Sequence, residues 1–253
     1  MRYTILTYIF NGYERVHEIA HKEPGVEYLL ITDDPQLRSN TWHVVCDNSI
    51  VHLSPFNKCY EVRFHPFRYA TTDIVARVDG SIGIRGSLTP LVEDIVKGNY
   101  DRCLMIHPER NTLPEEYDVW CLHRGYPREQ AEKCLLMMRR LGYDVKYRGL
   151  YQGGFEIVRK RRVNLELNNL TFDLLRYLGT DDKIERIDQT VFSFVANSLF
   201  ADRLKVLPVS EHIITSGKIM QWYLHNSVNP VVQKTQLIPA YLFDKPCRCW
   251  DNK

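Results

Sequence analysis

The sequence predicts an α/β fold in which a mostly parallel central sheet is flanked by helices and followed by a helical C-terminal extension. Three observations lead there. The first 80 residues alternate short β-rich runs with turn signals. The second half carries apolar residues at helical spacing. The chain of 253 residues, 44% hydrophobic and 25% charged, has the length and composition of one large globular domain with a sizeable core.

Tyr3 to Phe10 reads as the first strand, closed by the turn pair Asn11-Gly12. Tyr13 to His21 places Val16 and Ile19 on one face of a helix, which would complete a β-α-β unit. Gly25 to Thr32 is the second strand, stopped by Asp33-Asp34-Pro35, and Trp42 to Cys46 the third. Ile74 to Val78 is another apolar strand. Pro127 to Leu141 reads as an amphipathic helix with proline at its start and Gly142 beyond its end. Gln152-Gly153-Gly154 reads as a turn before the strand Phe155 to Val158, with glycines that also admit a close approach to the backbone. Leu165 to Leu178 and Gln189 to Phe200 read as two further helices. A composition shift near residue 205 divides the chain into a main unit, 1–204, and an extension, 205–253, expected to pack on the same domain.

Several function classes are disfavoured at this level. With 33 basic and 31 acidic side chains the net charge is +2, too balanced to attract nucleic acid without a local patch. The one basic run, Arg159-Lys160-Arg161-Arg162, reads as solvated or as bordering a membrane or a polyanionic acceptor. No apolar run approaches the roughly 20 residues that span a bilayer, and Met1 to Leu6 reads at once as strand, so a cytoplasmic protein without a transmembrane segment is expected. Seven scattered cysteines suit reduced, buried thiols better than a disulfide framework.

Parallel sheets bind ligands at the carboxyl ends of their strands, which singles out Asn11-Gly12, Thr32-Asp33-Asp34 and the end of Ile74 to Val78. The strongest of these is Asp79-Gly80-Ser81. A carboxylate at a strand end can hold a hard cation such as Mg²⁺ or Mn²⁺, which shares its oxygen ligands with a diphosphate. Asp79-Gly80 is equally a common turn between strands, and spacing alone leaves both readings open.

The ordered motifs Asn57-Lys58, Arg63, His65-Pro66, Val78-Asp79-Gly80-Ser81, Met105 to Arg110, Leu141-Gly142-Tyr143, Gln152 to Arg159 and Arg186 to Phe192 resemble a known family. It is the glycosyltransferase-like family long filed as domain of unknown function 616, related to GT-A enzymes of the family 8 kind. The resemblance covers roughly residues 1 to 200. It implies a GT-A-like, Rossmann-like fold and a transferase that moves a hexose from a nucleoside diphosphate sugar to a glycan or lipid-linked acceptor. It further implies that Asn11, Lys58, Arg63, Asp79 and Ser81 face the nucleotide and diphosphate, and that His107, Arg110, Gln152 and Gly153 lie beside the sugar or acceptor. Asp188 and Gln189 match an Asp-Gln step near the reacting sugar carbon, which favours retention of configuration, and His225 would join Asp79 as a metal ligand.

The chain departs from that pattern at two places. Ser81 stands where a second carboxylate would grip the cation, and Ile187 separates Arg186 from Asp188. A silent nucleotide- or carbohydrate-binding module of the same fold is therefore the rival reading. Plainer roles also stand beside the proposed ones: Lys58, Arg63 and Arg77 as solvated charges, His107 as a cap on a backbone group, and Asp188 as a helix N-cap. The sequence leaves the donor sugar, the acceptor and the oligomeric state open.

Overall fold

The computed structural model describes residues 1–124, 127–142, 149–178, 187–210 and 219–223. Four strands, β1 (Tyr3–Ile9), β2 (Val26–Thr32), β3 (His43–Cys46) and β4 (Ile74–Val78), pair in parallel in the spatial order β3-β2-β1-β4. β1 is buried on both faces, as a central parallel strand must be, which is why its sequence runs apolar without clean alternation. Past β4, the three-residue strand β5 (Ile82–Ile84) leaves the main sheet. The sheet continues with β7 (Tyr151–Arg159), antiparallel to β4, then β6 (Arg102–Ile106), and ends with β8 (Val206–Ser210), parallel to β6. Among the described residues six of the sheet's seven strands share one direction, so the predicted class, a mostly parallel sheet between helices, is what forms.

The helices are α1 (Pro55–Phe64), α2 (Thr89–Lys97), α3 (Leu113–Arg124), α4 (Arg128–Arg140), α5 (Arg162–Leu178) and α6 (Asp188–Phe194), which runs on as a π-turn through Leu199. α1 starts where Ser54 accepts a hydrogen bond from the Asn57 amide and Pro55 takes the first position. On one face of the sheet Tyr3, Ile5, Ala76, Val78, Phe155 and Ile157 pack with Val92 and Ile95 of α2. On the other, Leu104 lies under Phe64, Tyr117, Leu135, Leu167 and Phe192, drawn from α1, α3, α4, α5 and α6. Each such side chain contributes roughly 1.5–3 kcal/mol by leaving water.

Three expectations are corrected. Residues 13 to 21 are not a helix: the Ile19 amide donates to Thr41 Oγ1, the Ala20 amide to the Ile84 carbonyl, and Trp42 Nε1 to the His17 carbonyl. Tertiary partners therefore hold backbone groups that a helix would have paired internally. Gln152, Gly153 and Gly154 are not a turn but the opening residues of β7. The described part of the extension is strand rather than helix: β8 takes the sheet edge and β9 (Met220–Trp222) pairs antiparallel with β5. The basic run lies at the far end of β7, where Arg159 stands opposite Ile74, with Arg161 paired to Asp101 and Arg162 to Glu166. Among the described residues no helix is long and apolar enough to cross a membrane.

Candidate functional site

At the carboxyl end of β1 the chain turns sharply through Asn11 (φ 53°) and Gly12 (φ 62°). The Asn11 amide donates to Asp33 Oδ1 at 2.9 Å, at the end of β2. Lys58, reaching over from α1, sets its Nζ 2.6 Å from Asp33 Oδ2 and 3.3 Å from Asn11 Oδ1. Lys58 is buried, so it is not the solvated charge that its residue type alone allows. Burial by itself would raise the Asp33 carboxyl, but hydrogen bonds from Lys58 and the Asn11 amide hold it below the ordinary carboxylate range.

Asp79 follows β4 directly and forms a turn. Its amide donates to the Gly154 carbonyl and its carbonyl accepts from Ile82, each at 2.9 Å. Gly80 suits that close approach, because a Cβ would stand 3.0 Å from the Tyr8 carbonyl and press on it. The Asp79 side chain remains 38% exposed, with Oδ1 accepting from Arg77 NH1 at 2.8 Å and from the Tyr8 hydroxyl at 3.2 Å. Burial, then the charge of Asp79, raises the Tyr8 hydroxyl, so it stays a donor. Ser81 lies in the same turn, its carbonyl taken by the Tyr223 amide.

Beneath this rim lies a buried ionic cluster. Arg77 of β4 stands opposite Glu156 of β7 in register, with Nε 2.9 Å from Glu156 Oε1. Arg102 Nε from β6 is 3.4 Å from Oε2, and Arg63 Nε from α1 is 3.9 Å from Oε1. None of the four side chains is more than 5% exposed. Burial alone would raise the Glu156 carboxyl, but Arg102, Arg77 and Arg63 outweigh it and hold it at about 2. The outer ends of two of the guanidinium groups meet rim carboxylates: Arg77 meets Asp79, and Arg63 NH1 bonds Asp188 Oδ2. Asp188 is the first residue of α6, not its N-cap, and is 21% exposed. Placing its charge in the first turn also suits the helix dipole.

A second chain of contacts joins the remaining candidates. Gln189 Oε1 accepts from the Gly153 amide at 2.9 Å, and its Nε2 donates to Glu116 Oε1 at 3.2 Å. Glu116 Oε2 takes Arg110 Nε, and Arg110 NH2 lies 2.7 Å from His107 Nε2. His107 is buried and turned inward, its Nδ1 accepting from the Glu109 and Arg110 amides at 3.1 Å each. The ring thus caps backbone amides, one of the two roles weighed for it. Burial, then Arg110, drops its imidazole to about 3. The Gly153 carbonyl accepts from Arg77 NH2, which links this chain to Asp79, while Gln152 Oε1 is buried and accepts no hydrogen bond among the described residues.

Asp79, Arg63, Arg110, His107, Gly153, Asp188 and Gln189 therefore belong to one connected network, with Asn11 and Lys58 forming a separate knot at the neighbouring strand ends. The chain is similar to a bacterial glycosyltransferase. Its likeness to the crystal structure of the glycosyltransferase GlyE of Streptococcus pneumoniae TIGR4 has a TM-score of 0.45 at 18% identity, covering 81% of this chain and 45% of that one. For the apo form of GlyE the TM-score is 0.42 at 16% identity, with the same coverage. The chain thus spans a little under half the length of the structures it matches. No model of a known protein family matches it, and no curated protein does.

A divalent cation at Asp79 would compete with the groups already there: Oδ1 is bonded to Arg77 and Tyr8, and among the described residues no three His, Cys, Asp or Glu side chains stand together, so the diphosphate would supply most of its oxygen ligands. His225, the other expected ligand, and Arg186 lie outside the described residues.

Glu116, Glu156 and Tyr8 escaped the sequence reading, and Arg77 entered it only as a possible surface charge. A signal for two of them was present: a lone arginine in Ile-Val-Ala-Arg-Val and a lone glutamate in Phe-Glu-Ile-Val are opposite charges in two apolar strands, and such charges are buried only when paired. No comparable signal marked Glu116.

Proposed function

We propose that the protein is a glycosyltransferase that moves a hexose from a nucleoside diphosphate sugar to a glycan or lipid-linked acceptor. The observation that carries this reading is the pair of partly exposed carboxylates, Asp79 after β4 and Asp188 at the start of α6, each bonded by an arginine of one buried cluster. In the reaction the bond from the sugar's C1 to the diphosphate oxygen breaks with both electrons leaving on that oxygen. The acceptor hydroxyl oxygen bonds to C1 and gives up its proton. Negative charge grows on the diphosphate and positive charge on the sugar, so catalysis rests on groups aimed at each. Lys58 and the arginine ends at Asp79 serve the first, and Asp188 with Gln189 the second. Retention of configuration belongs to the same reading, and proton NMR of the product tests it: an inverted linkage would remove the role of Gln189.

Asp79→Ala is expected to abolish donor hydrolysis while the fold survives at a somewhat lower unfolding midpoint, since it takes one partner from the buried Arg77 guanidinium, which Glu156 still pairs. Full activity in that variant overturns the assignment. The engagement of Asp79 by Arg77 favours a second reading, a nucleotide- or carbohydrate-binding module without turnover. Calorimetry with UDP and GDP, with and without manganese, followed by a hydrolysis assay, separates the two: binding without turnover identifies the module.

A further inference from the structure

The Gln189 side chain has two ends of opposite character, and both are engaged. A backbone amide can only donate, and it faces Oε1; an ionised carboxylate can only accept, and it faces Nε2. Turning the amide over would set its NH2 against the Gly153 N–H and its oxygen against the Glu116 carboxylate, two repulsions in place of two hydrogen bonds. Glu116 is itself only 3% exposed and is held from behind by Arg110, whose other nitrogen abuts buried His107. The carboxylate is therefore fixed by α3 and the preceding loop, and the amide is fixed by the carboxylate.

From this geometry we infer that Glu116 is a positioning residue for Gln189, setting the orientation in which its amide meets the sugar. The inference rests on the glycosyltransferase reading and adds a role that Gln189 cannot perform alone. With Oε1 given to Gly153 and one amide hydrogen to Glu116, Gln189 keeps one N–H donor to offer a ligand. It thus acts on the sugar as a donor as much as an acceptor, and the Glu116 charge strengthens that N–H by polarising the amide.

The test transposes the two side chains, which are isosteric. In Glu116→Gln the amide has one acceptor end for two donors, so its nitrogen must face either Gln189 Nε2 or Arg110 Nε, and in Gln189→Glu two carboxylates meet. The double variant restores every hydrogen bond with the roles exchanged. Each single variant is expected to lower the unfolding midpoint, and the double to recover most of the loss, a coupling readable without substrate. With a donor that the wild type turns over, Glu116→Gln is expected to lower kcat about tenfold or more at a nearly unchanged KM, because a misplaced amide costs transition-state contact rather than binding. Additive midpoints overturn the wiring. Coupled midpoints with wild-type kcat in Glu116→Gln overturn the positioning role and leave the site reading intact. A wild type that turns over no nucleoside diphosphate sugar overturns the glycosyltransferase reading and this inference with it.

Discussion

At the scale of single residues, charge placement decides most of what the site can do, and His107 gives the most direct handle on it. Its folded pKa of about 3 lies far below the ordinary 6.5, because burial and Arg110 oppose a second proton on the ring. The unfolded chain takes up that proton as pH falls below 6.5, whereas the folded chain does not until about 3. The imidazole's contribution to stability is therefore complete above pH 6.5 and is lost progressively on acidification through that window. His107→Asn keeps an oxygen able to accept from the Glu109 and Arg110 amides but cannot titrate. Its unfolding midpoint is expected to fall less than that of the wild type between pH 7 and pH 4, and parallel curves would refute the assignment. The sequence offered His107 both as a group beside the sugar and as a cap on a backbone group and did not choose, because which way an imidazole faces depends on packing. The turn at Asp79 was legible because Asp-Gly after an apolar strand is a common turn signal, and the structure forms it. Glu116 was not, because an acid in the first turn of a helix looks like any helix-stabilising charge.

At the scale of elements, the opening of β7 shows glycines acting through what they leave room for. A Cβ on Gly154 would lie 2.2 Å from Trp222 Cη2, and one on Gly153 would lie 3.0 Å from Arg63 NH1. The two residues are strand, yet Gly154 passes so close to the β9 indole that a Cβ there must displace it, and Gly153 passes close enough to the Arg63 guanidinium that a Cβ would press on it. Two adjacent glycines before an apolar run ordinarily announce a turn, and only the tertiary contacts show that they continue the strand. Gly154→Ala is expected to displace Trp222 and destabilise the fold by about 1–3 kcal/mol, the usual cost of overpacking. Loss of β9 contact would appear as increased quenching of indole fluorescence by acrylamide. Adding Trp222→Ala to Gly154→Ala removes the collision, so the double variant is expected to lose less than the two single losses combined; additive losses would show that the indole does not sit there. The segment from Tyr13 to His21 failed as a helix for a related reason. Val16 and Ile19 have helical spacing, but the backbone around them is bound to Thr41, Trp42 and Ile84. Strands β1, β2 and β4 were legible because burial on both faces makes their sequences mostly apolar and β-branched, with few polar interruptions.

At the scale of the whole molecule, the sheet places donors and acceptors from many separate stretches of sequence along one edge, and the last described stretches finish the job in two distinct ways. β8 pairs with β6 over five residues and takes the edge of the main sheet, while the Asp101 amide and side chain hold the Lys205 backbone. β9 pairs with β5 over three residues and brings Trp222 against Gly154 and Tyr223 against Gly83, with His17 stacked on the Tyr223 ring at 4.1 Å between centroids. The composition shift near residue 205 was visible in the sequence, but strand pairing was not, because a short edge strand draws its stability from a partner distant in sequence. The two roles predict different losses. A chain ending at Ser210 keeps the seven-stranded sheet and is expected to unfold cooperatively at a lower midpoint, with Gly154 and Ile82 uncovered next to Asp79. A chain ending at Leu204 leaves β6, with Cys103, Leu104 and Met105, as an unpaired apolar edge, the arrangement that templates aggregation. Size-exclusion chromatography and thermal unfolding of the two truncations distinguish them. If the shorter chain stays monomeric with an unchanged midpoint, β8 is an appendage and not the closing strand of the fold.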